Sequence, residues 1–137
     1  MIFLFFFHLM FFSFPVNQQS TPLTIHVMGI KEIEGDIFVA AYDNDKDFMG
    51  DNGIAGNKIS IEQNTLSFIM ELPIGEYAIL IYQDLNRDGK LNTNFLGIPK
   101  EPYGASNGLG SFAVPNFKKS LLKIGSEPKS IEIMLHQ

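Results

Sequence analysis

LPIGEYAILIYQDLNRDGKLNTNFLGIPKEPYGASN, residues 72–107, is the stretch whose reading decides the fold. Pro73 presets φ for a tight turn and Gly75 is free to take positive φ, so the chain turns before Tyr77 enters a strand facing the core. That strand, residues 76–83, is nearly unbroken in apolar residues. An acidic loop follows, then a Gly- and Pro-rich excursion too long to be a minimal connection. No amphipathic helical period lies on either side, which is the signature of an all-β chain.

Working outward, the same signature repeats. Residues 23–27 alternate apolar and polar, as a half-buried strand does, while residues 36–42 are apolar throughout and suit the middle of a sheet. Residues 58–62 and 66–70 read as a hairpin around Gln63-Asn64. Beyond the central stretch, strands at residues 120–124 and 130–136 are joined through Gly125-Ser126-Glu127-Pro128, and Ile131, Ile133 and Leu135 share one face of the second. About seven short strands with turn signals between them predict an antiparallel β-sandwich, immunoglobulin-like or transthyretin-like in shape.

The strongest chemical signal lies just after the central strand. Asp84, Asn86, Asp88 and Asn92 place side-chain oxygens at loop positions one, three, five and nine, with Gly89 at six. This is the spacing of an EF-hand-type calcium loop. A hard cation takes roughly six to eight oxygens, alternate residues of a curled loop point inward, and glycine supplies the sharp turn. Lys90 contributes its carbonyl in that scheme. Position twelve, where an EF-hand carries a bidentate Glu, is Phe95, and the flanks read as strand and loop, so this is no EF-hand. Glu101 is the nearest downstream carboxylate that closes the shell; otherwise water does. The expectation is weak calcium binding, with Kd about 10⁻⁴–10⁻³ M. The competing reading is a plain turn built from Asn, Asp and Gly.

Tyr103, Ser106 and Asn107, together with Glu101, are candidates for a ligand site beside the metal. Phe95, Leu96, Ile98 and Tyr103 argue that this loop is ordered, and the alternative is a self-packed loop stabilised by its own aromatics. Asp43, Asp45 and Asp47 also alternate, so a second cation site competes there with a solvated loop. His26 and His136 fall singly on polar strand faces. No Ser–His–Asp order, nucleophile elbow, phosphate loop or zinc spacing occurs in the sequence.

At 137 residues the chain is one domain with room for a real core. It opens on MIFLFFFHLMFFSF, an apolar run shorter than the ~18–20 residues that span a bilayer and suited to the h-region of an export signal. No Lys or Arg precedes it and no clean pair of small residues marks a cleavage site, which leaves a buried strand or a monotopic anchor as alternatives. The reading is an export segment over residues 1–20 and a single β-sandwich domain over 21–137. There is no cysteine, hence no disulfide, thiolate ligand or lipid-modified cysteine. The net charge of −5 arises entirely after position 20. It speaks against nucleic acid and for cations, with membrane contact only through an uncleaved leader.

With these residues assembled, the chain resembles a bacterial family known as domain of unknown function 2141. The resemblance rests on the Leu-Pro-x-Gly-x-Tyr turn at 72–77, the strand ending in Asp84, the Asn-x-x-Gly-Lys-Leu loop, Gly-Ile-Pro-x-Glu-x-Tyr-Gly at 97–104, and Ser106-Asn107. Gly35, Tyr42-Asp43 and Pro115-x-Phe117 extend it over the domain. Members often carry His where Gln83 stands and Asp where Asn92 stands, so this loop has fewer formal charges for a cation. The resemblance implies an exported β-sandwich of Gram-negative bacteria and assigns no activity.

The sequence therefore predicts a non-enzymatic binding or structural module, periplasmic, outer-membrane-associated or secreted. Its calcium loop at 84–92 orders a binding loop at 95–107 for an extracytoplasmic ligand or protein. One rival is an enzyme acting on an extracellular polymer through Asp84, Glu101 and Tyr103. The other is a structural surface protein in which the loop is only a turn.

Overall fold

The computed structural model describes residues 18–108 and 114–137, so the expected export segment falls almost wholly outside the described residues. Among the described residues no helix is long and apolar enough to cross a membrane. The elements are β1 (Ser20–Met28), β2 (Asp36–Tyr42), β3 (Ala55–Ser60), β4 (Leu66–Pro73), β5 (Gly75–Asp84), β6 (Tyr103–Ala105), a helical turn α1 (Phe117–Ser120), β7 (Leu121–Ile124) and β8 (Lys129–Met134). They form two sheets. One has the order β4-β1-β8; the other has the order β3-β2-β5-β6, with β7 pairing the first half of β5.

The period-two pattern of β1 sets one wall of the core: Leu23, Ile25 and Val27 are fully buried, while Thr24 and His26 lie on the other face. Ile37, Val39, Ile79, Ile81 and Ile124 from the five-stranded sheet meet them, joined by Leu72 and Ile133. Each such side chain contributes about 1.5–3 kcal/mol when fully buried. The apolar runs of β2 and β5 are continuous because their outer face is covered too. Tyr42, Leu80 and Ala105 are buried there beneath Phe48, Met49, Leu91 and Phe117. Phe48 meets Tyr42 and Phe117 edge-on, at centroid distances of 5.4 and 5.7 Å.

The corner read from the central stretch is real, and it carries the chain from one sheet to the other. β4 ends at Pro73 in the three-stranded sheet and β5 begins at Gly75 in its partner. Gly75 is required by close approach, not by positive φ. A Cβ there would stand 2.8 Å from the Tyr77 hydroxyl and 3.0 Å from its Cζ, because the ring lies over the glycine.

The all-β sandwich of about seven short strands is what the structure has; one pairing is corrected and two details are added. The hairpin at 58–62 and 66–70 does not form: β3 pairs with β2 and β4 with β1, so the link between them crosses from sheet to sheet with Ile61 buried. The sandwich is not wholly antiparallel, since β8 runs parallel to β1. The turn after β7 sits at the start of β1, where Thr21 Oγ1 donates to the Gly125 carbonyl at 2.7 Å, so the returning strand must leave in the direction of β1. Among the described residues the strands number eight, because the excursion after residue 95 contains β6. Three residues are too few to show a period.

Candidate functional site

The site is built where β5 ends. Asp84, opposite Asp36 in the β2–β5 register, is 1 % exposed, and the chain leaves it as a tight acidic loop. Its carboxylate accepts from the Asp88 amide at 3.2 Å and the Gly89 amide at 2.8 Å, curling the loop around it. Arg87 and Gly89 take positive φ, 58° and 75°, to make that curl. Asn86 Oδ1 also accepts from the Asp88 amide, at 3.1 Å, and Asp88 Oδ1 accepts from the Lys90 amide at 2.9 Å. These are side chains folding back on local backbone, as Asx turns do.

The three remaining oxygen-bearing side chains meet on the solvent side of the loop. Asn86 Nδ2 donates to Asn92 Oδ1 at 2.9 Å and to Asp88 Oδ2 at 3.2 Å, and Asn92 Nδ2 donates to the same Asp88 oxygen at 2.9 Å. Asn86, Asp88 and Asn92 are thus brought together, through their carboxamide N–H groups. Leu91 anchors the loop on the outer core.

Glu101 holds the loop's neck. It is 7 % exposed, and its two oxygens accept separately from the Leu85 and Asn92 amides, each at 3.2 Å. The sequence places Glu101 beside the loop; the structure brings it there through backbone amides at the loop's two ends. Burial pushes its carboxyl above the ordinary 4.5, and the charges of Asp84 and Asp88 push the same way, against the two amide bonds. Asp88, held by Asn92, the Lys90 amide and Asn86, lies below the ordinary 3.8 despite some desolvation. Among the described residues, the one ion pair within 4.0 Å is Lys58–Asp36, so none of these three carboxylates has a cationic side chain on it.

Between neck and β6 the chain forms a short finger. The Lys100 amide donates to the Asn92 carbonyl at 2.8 Å, Thr93 bridges Pro99, and the Asn94 amide donates to the Ile98 carbonyl at 2.9 Å. Asn94 Oδ1 caps the tip, accepting from Leu96 at 2.9 Å and Ile98 at 3.0 Å. Order here comes from Asn94 and Glu101. Of the loop's two aromatics Tyr103 is buried while Phe95 is 95 % exposed, with Leu96 beside it at 64 %.

Tyr103 and Ser106 are buried. Tyr103 joins β6 to β5 and bridges His136, while Ser106 Oγ accepts from the Ile79 amide at 3.0 Å and donates to the Ser120 carbonyl. Asn107 is exposed at φ 63°, its amide donating to the Leu121 carbonyl. These three secure the excursion's return to the sheet. Asp84, Glu101 and Tyr103, the polar centre of the enzyme reading, are all buried. In the other acidic loop, Asn44 Nδ2 bridges Asp43 and Asp47 at 2.9 Å each. Among the described residues no three Asp, Glu or His side chains gather as a metal cage in either loop.

Sequence reasoning missed a groove. It is open, about 360 Å³, and runs over the outer face of the five-stranded sheet. Gly53, Ala55, Gly56 and Ala40 line it, with Phe38 and Tyr82, whose rings stack at 5.2 Å, and Gly89 of the acidic loop. Lys58 reaches over the Phe38 ring at 5.5 Å. The residues come from four separate segments and share no local pattern; the alternation of Phe38 and Tyr82 with core positions was the one available signal.

Compared with known proteins, the chain matches neither a curated protein nor a solved structure. Residues 25–132 match a family described as an uncharacterized protein conserved in bacteria, domain of unknown function 2141. The match runs from within β1 to within β8 and takes in the whole of the acidic loop and finger, and the chain belongs to that bacterial family.

Proposed function

We propose that the chain is an exported, non-catalytic binding module whose loop 84–92 takes a calcium ion that fixes the neighbouring finger and the end of the groove. One observation carries this reading. Three carboxylates, two of them buried, cluster at one loop with no cationic side chain on any of them among the described residues. Burying a charge costs several kcal/mol unless it is compensated, and backbone amides supply only part of that. Calcium suits the donor set, which is hard oxygen throughout. Asp84, Asp88 and the amide oxygens of Asn86 and Asn92 hold the ion, the Lys90 carbonyl and water complete its shell, and Glu101 positions the neck. Binding turns the two carboxamides, exchanging their mutual hydrogen bonds for oxygen contacts to the ion. Gly89 couples the loop to the groove.

The test is a melting curve of residues 18–137, which contain every strand of both sheets, in EDTA and in calcium. At a Kd of about 1 mM, about 10 mM calcium adds about 1.4 kcal/mol, or about 5 °C for a domain this size. Asp88→Ala is expected to abolish the shift, and magnesium not to reproduce it. A shift that survives in Asp88→Ala, or no shift in the parent, sinks the proposal and leaves a turn.

A further inference from the structure

The tip of the finger is the most exposed apolar feature among the described residues. Phe95 and Leu96 stand side by side at 95 % and 64 % exposure, on a turn held by four hydrogen bonds to Asn94 or from it. Two bulky side chains fixed in water by a dedicated polar cap are convex, so their counterpart is either a matching pocket or a soft surface. The exposed charges of the same lobe choose between these. From residue 84 to residue 101 the exposed charged residues are Arg87, Lys90 and Lys100 against Asp88, while Asp84 and Glu101 are buried. The chain as a whole is acidic, at −5, yet this lobe turns three cations and one anion outward. An apolar wedge on a lobe whose exposed charges are mostly Lys and Arg complements an anionic lipid headgroup layer above hydrocarbon.

We infer that the Phe95–Leu96 tip inserts into the interface of an anionic phospholipid bilayer, with Arg87, Lys90 and Lys100 against the headgroups. The inference deepens the reading of the finger as a binding surface by naming its partner, and it does not need the ion. It departs from the sequence expectation of membrane contact through a leader alone, which rested on net charge and not on where the charges face.

The chain has no tryptophan, so Phe95→Trp gives a single reporter at the tip, and Leu96→Trp a second. Ile69→Trp, exposed on the other sheet, is the control. Each full-length variant is mixed with vesicles of phosphatidylglycerol and phosphatidylethanolamine, with and without brominated acyl chains, in EDTA and in calcium. The expected result is a blue shift and loss of most emission to the brominated lipid at positions 95 and 96, none at 69, and a weaker effect on pure phosphatidylcholine. A leader that tethers the chain does not mimic this, because it brings no particular position to the acyl chains. Absence of quenching at 95 and 96 in both EDTA and calcium overturns the inference, as does equal quenching at 69. A lipid-free blue shift that grows with protein concentration also overturns it, because a second copy then covers the tip. The EDTA arm separates this outcome from failure of the calcium reading, which the melting curves decide.

Discussion

Two glycines with nearly the same backbone angle allow one prediction to be worked through. Gly35 has φ 72° and Gly89 has φ 75°, both in the left-handed region. Their surroundings differ completely. A Cβ on Gly35 would collide with the Asp84 carbonyl oxygen and stand 3.0 Å from its carbon and 3.2 Å from Leu85 Cα, whereas one on Gly89 meets nothing within 4 Å. Gly89→Ala therefore carries only the backbone term, about 1–2 kcal/mol for an L-residue held left-handed. Gly35→Ala carries that term plus overpacking of about 1–3 kcal/mol against backbone that cannot rotate away, for a total of about 2–5 kcal/mol. Urea unfolding of the two variants and the parent in EDTA reads both, with unchanged m required so that the midpoints report stability. The Gly35 variant is expected to lose more by about 1–3 kcal/mol. It also displaces Asp84, so its calcium shift shrinks. Equal losses in the two variants would mean that residues 29–35 do not press on the point where the acidic loop departs, and the reasoning about its placement fails.

Glu101→Gln tests the neck by pH. A carboxyl raised above 4.5 favours the fold below that value and loses this contribution as pH rises through its folded value, so the parent should gain stability over the variant on acidification from neutral toward 4.5 in calcium-free urea titrations. Asp88 works the other way: lowered from 3.8, it supports the fold above that value and fails as pH falls through its lower folded one, so Asp88→Asn should flatten the acid limb. Asn94→Ala removes the acceptor for the Leu96 and Ile98 amides, and is expected to cost under about 1 kcal/mol globally while making the finger a preferred site of limited proteolysis.

Strand positions were legible because burial imposes a local pattern, clearest in the alternation of residues 23–27 and the apolar run of 76–83. Which strands pair was less so. Residues 58–70 satisfy hairpin chemistry, but β2 and β1 offered these two strands better-buried partners in different sheets, and no local signal distinguishes the outcomes. The parallel β8 follows from where the turn at 125–128 docks, a tertiary fact. The 84–92 loop was readable since all its contacts lie within a few residues, and Glu101 was found by proximity in sequence. Phe95 and Leu96 misled: apolar side chains argue for burial, and only the capping by Asn94 reveals that the turn is ordered without them.

What separates a metal loop from a turn is the choice of residue, more than the shape. Asparagine at 84 would accept one amide bond with no charge to bury, and glutamine at 101 could still accept from one end of the neck. The chain instead buries two carboxylates there, 1 % and 7 % exposed, beside a third at Asp88. Two amide bonds at 3.2 Å each do not fully offset this for Glu101, whose carboxyl remains harder to ionise than in water. Asn86 and Asn92 meanwhile point donors at Asp88, the one polarity a neutral side chain can offer a carboxylate. A turn needs none of this charge. A divalent cation on the oxygen side of Asp84 and Asp88, as proposed, would make use of it, would lower the Glu101 carboxyl back toward its ordinary range, and would stiffen the neck from which the Phe95–Leu96 tip projects.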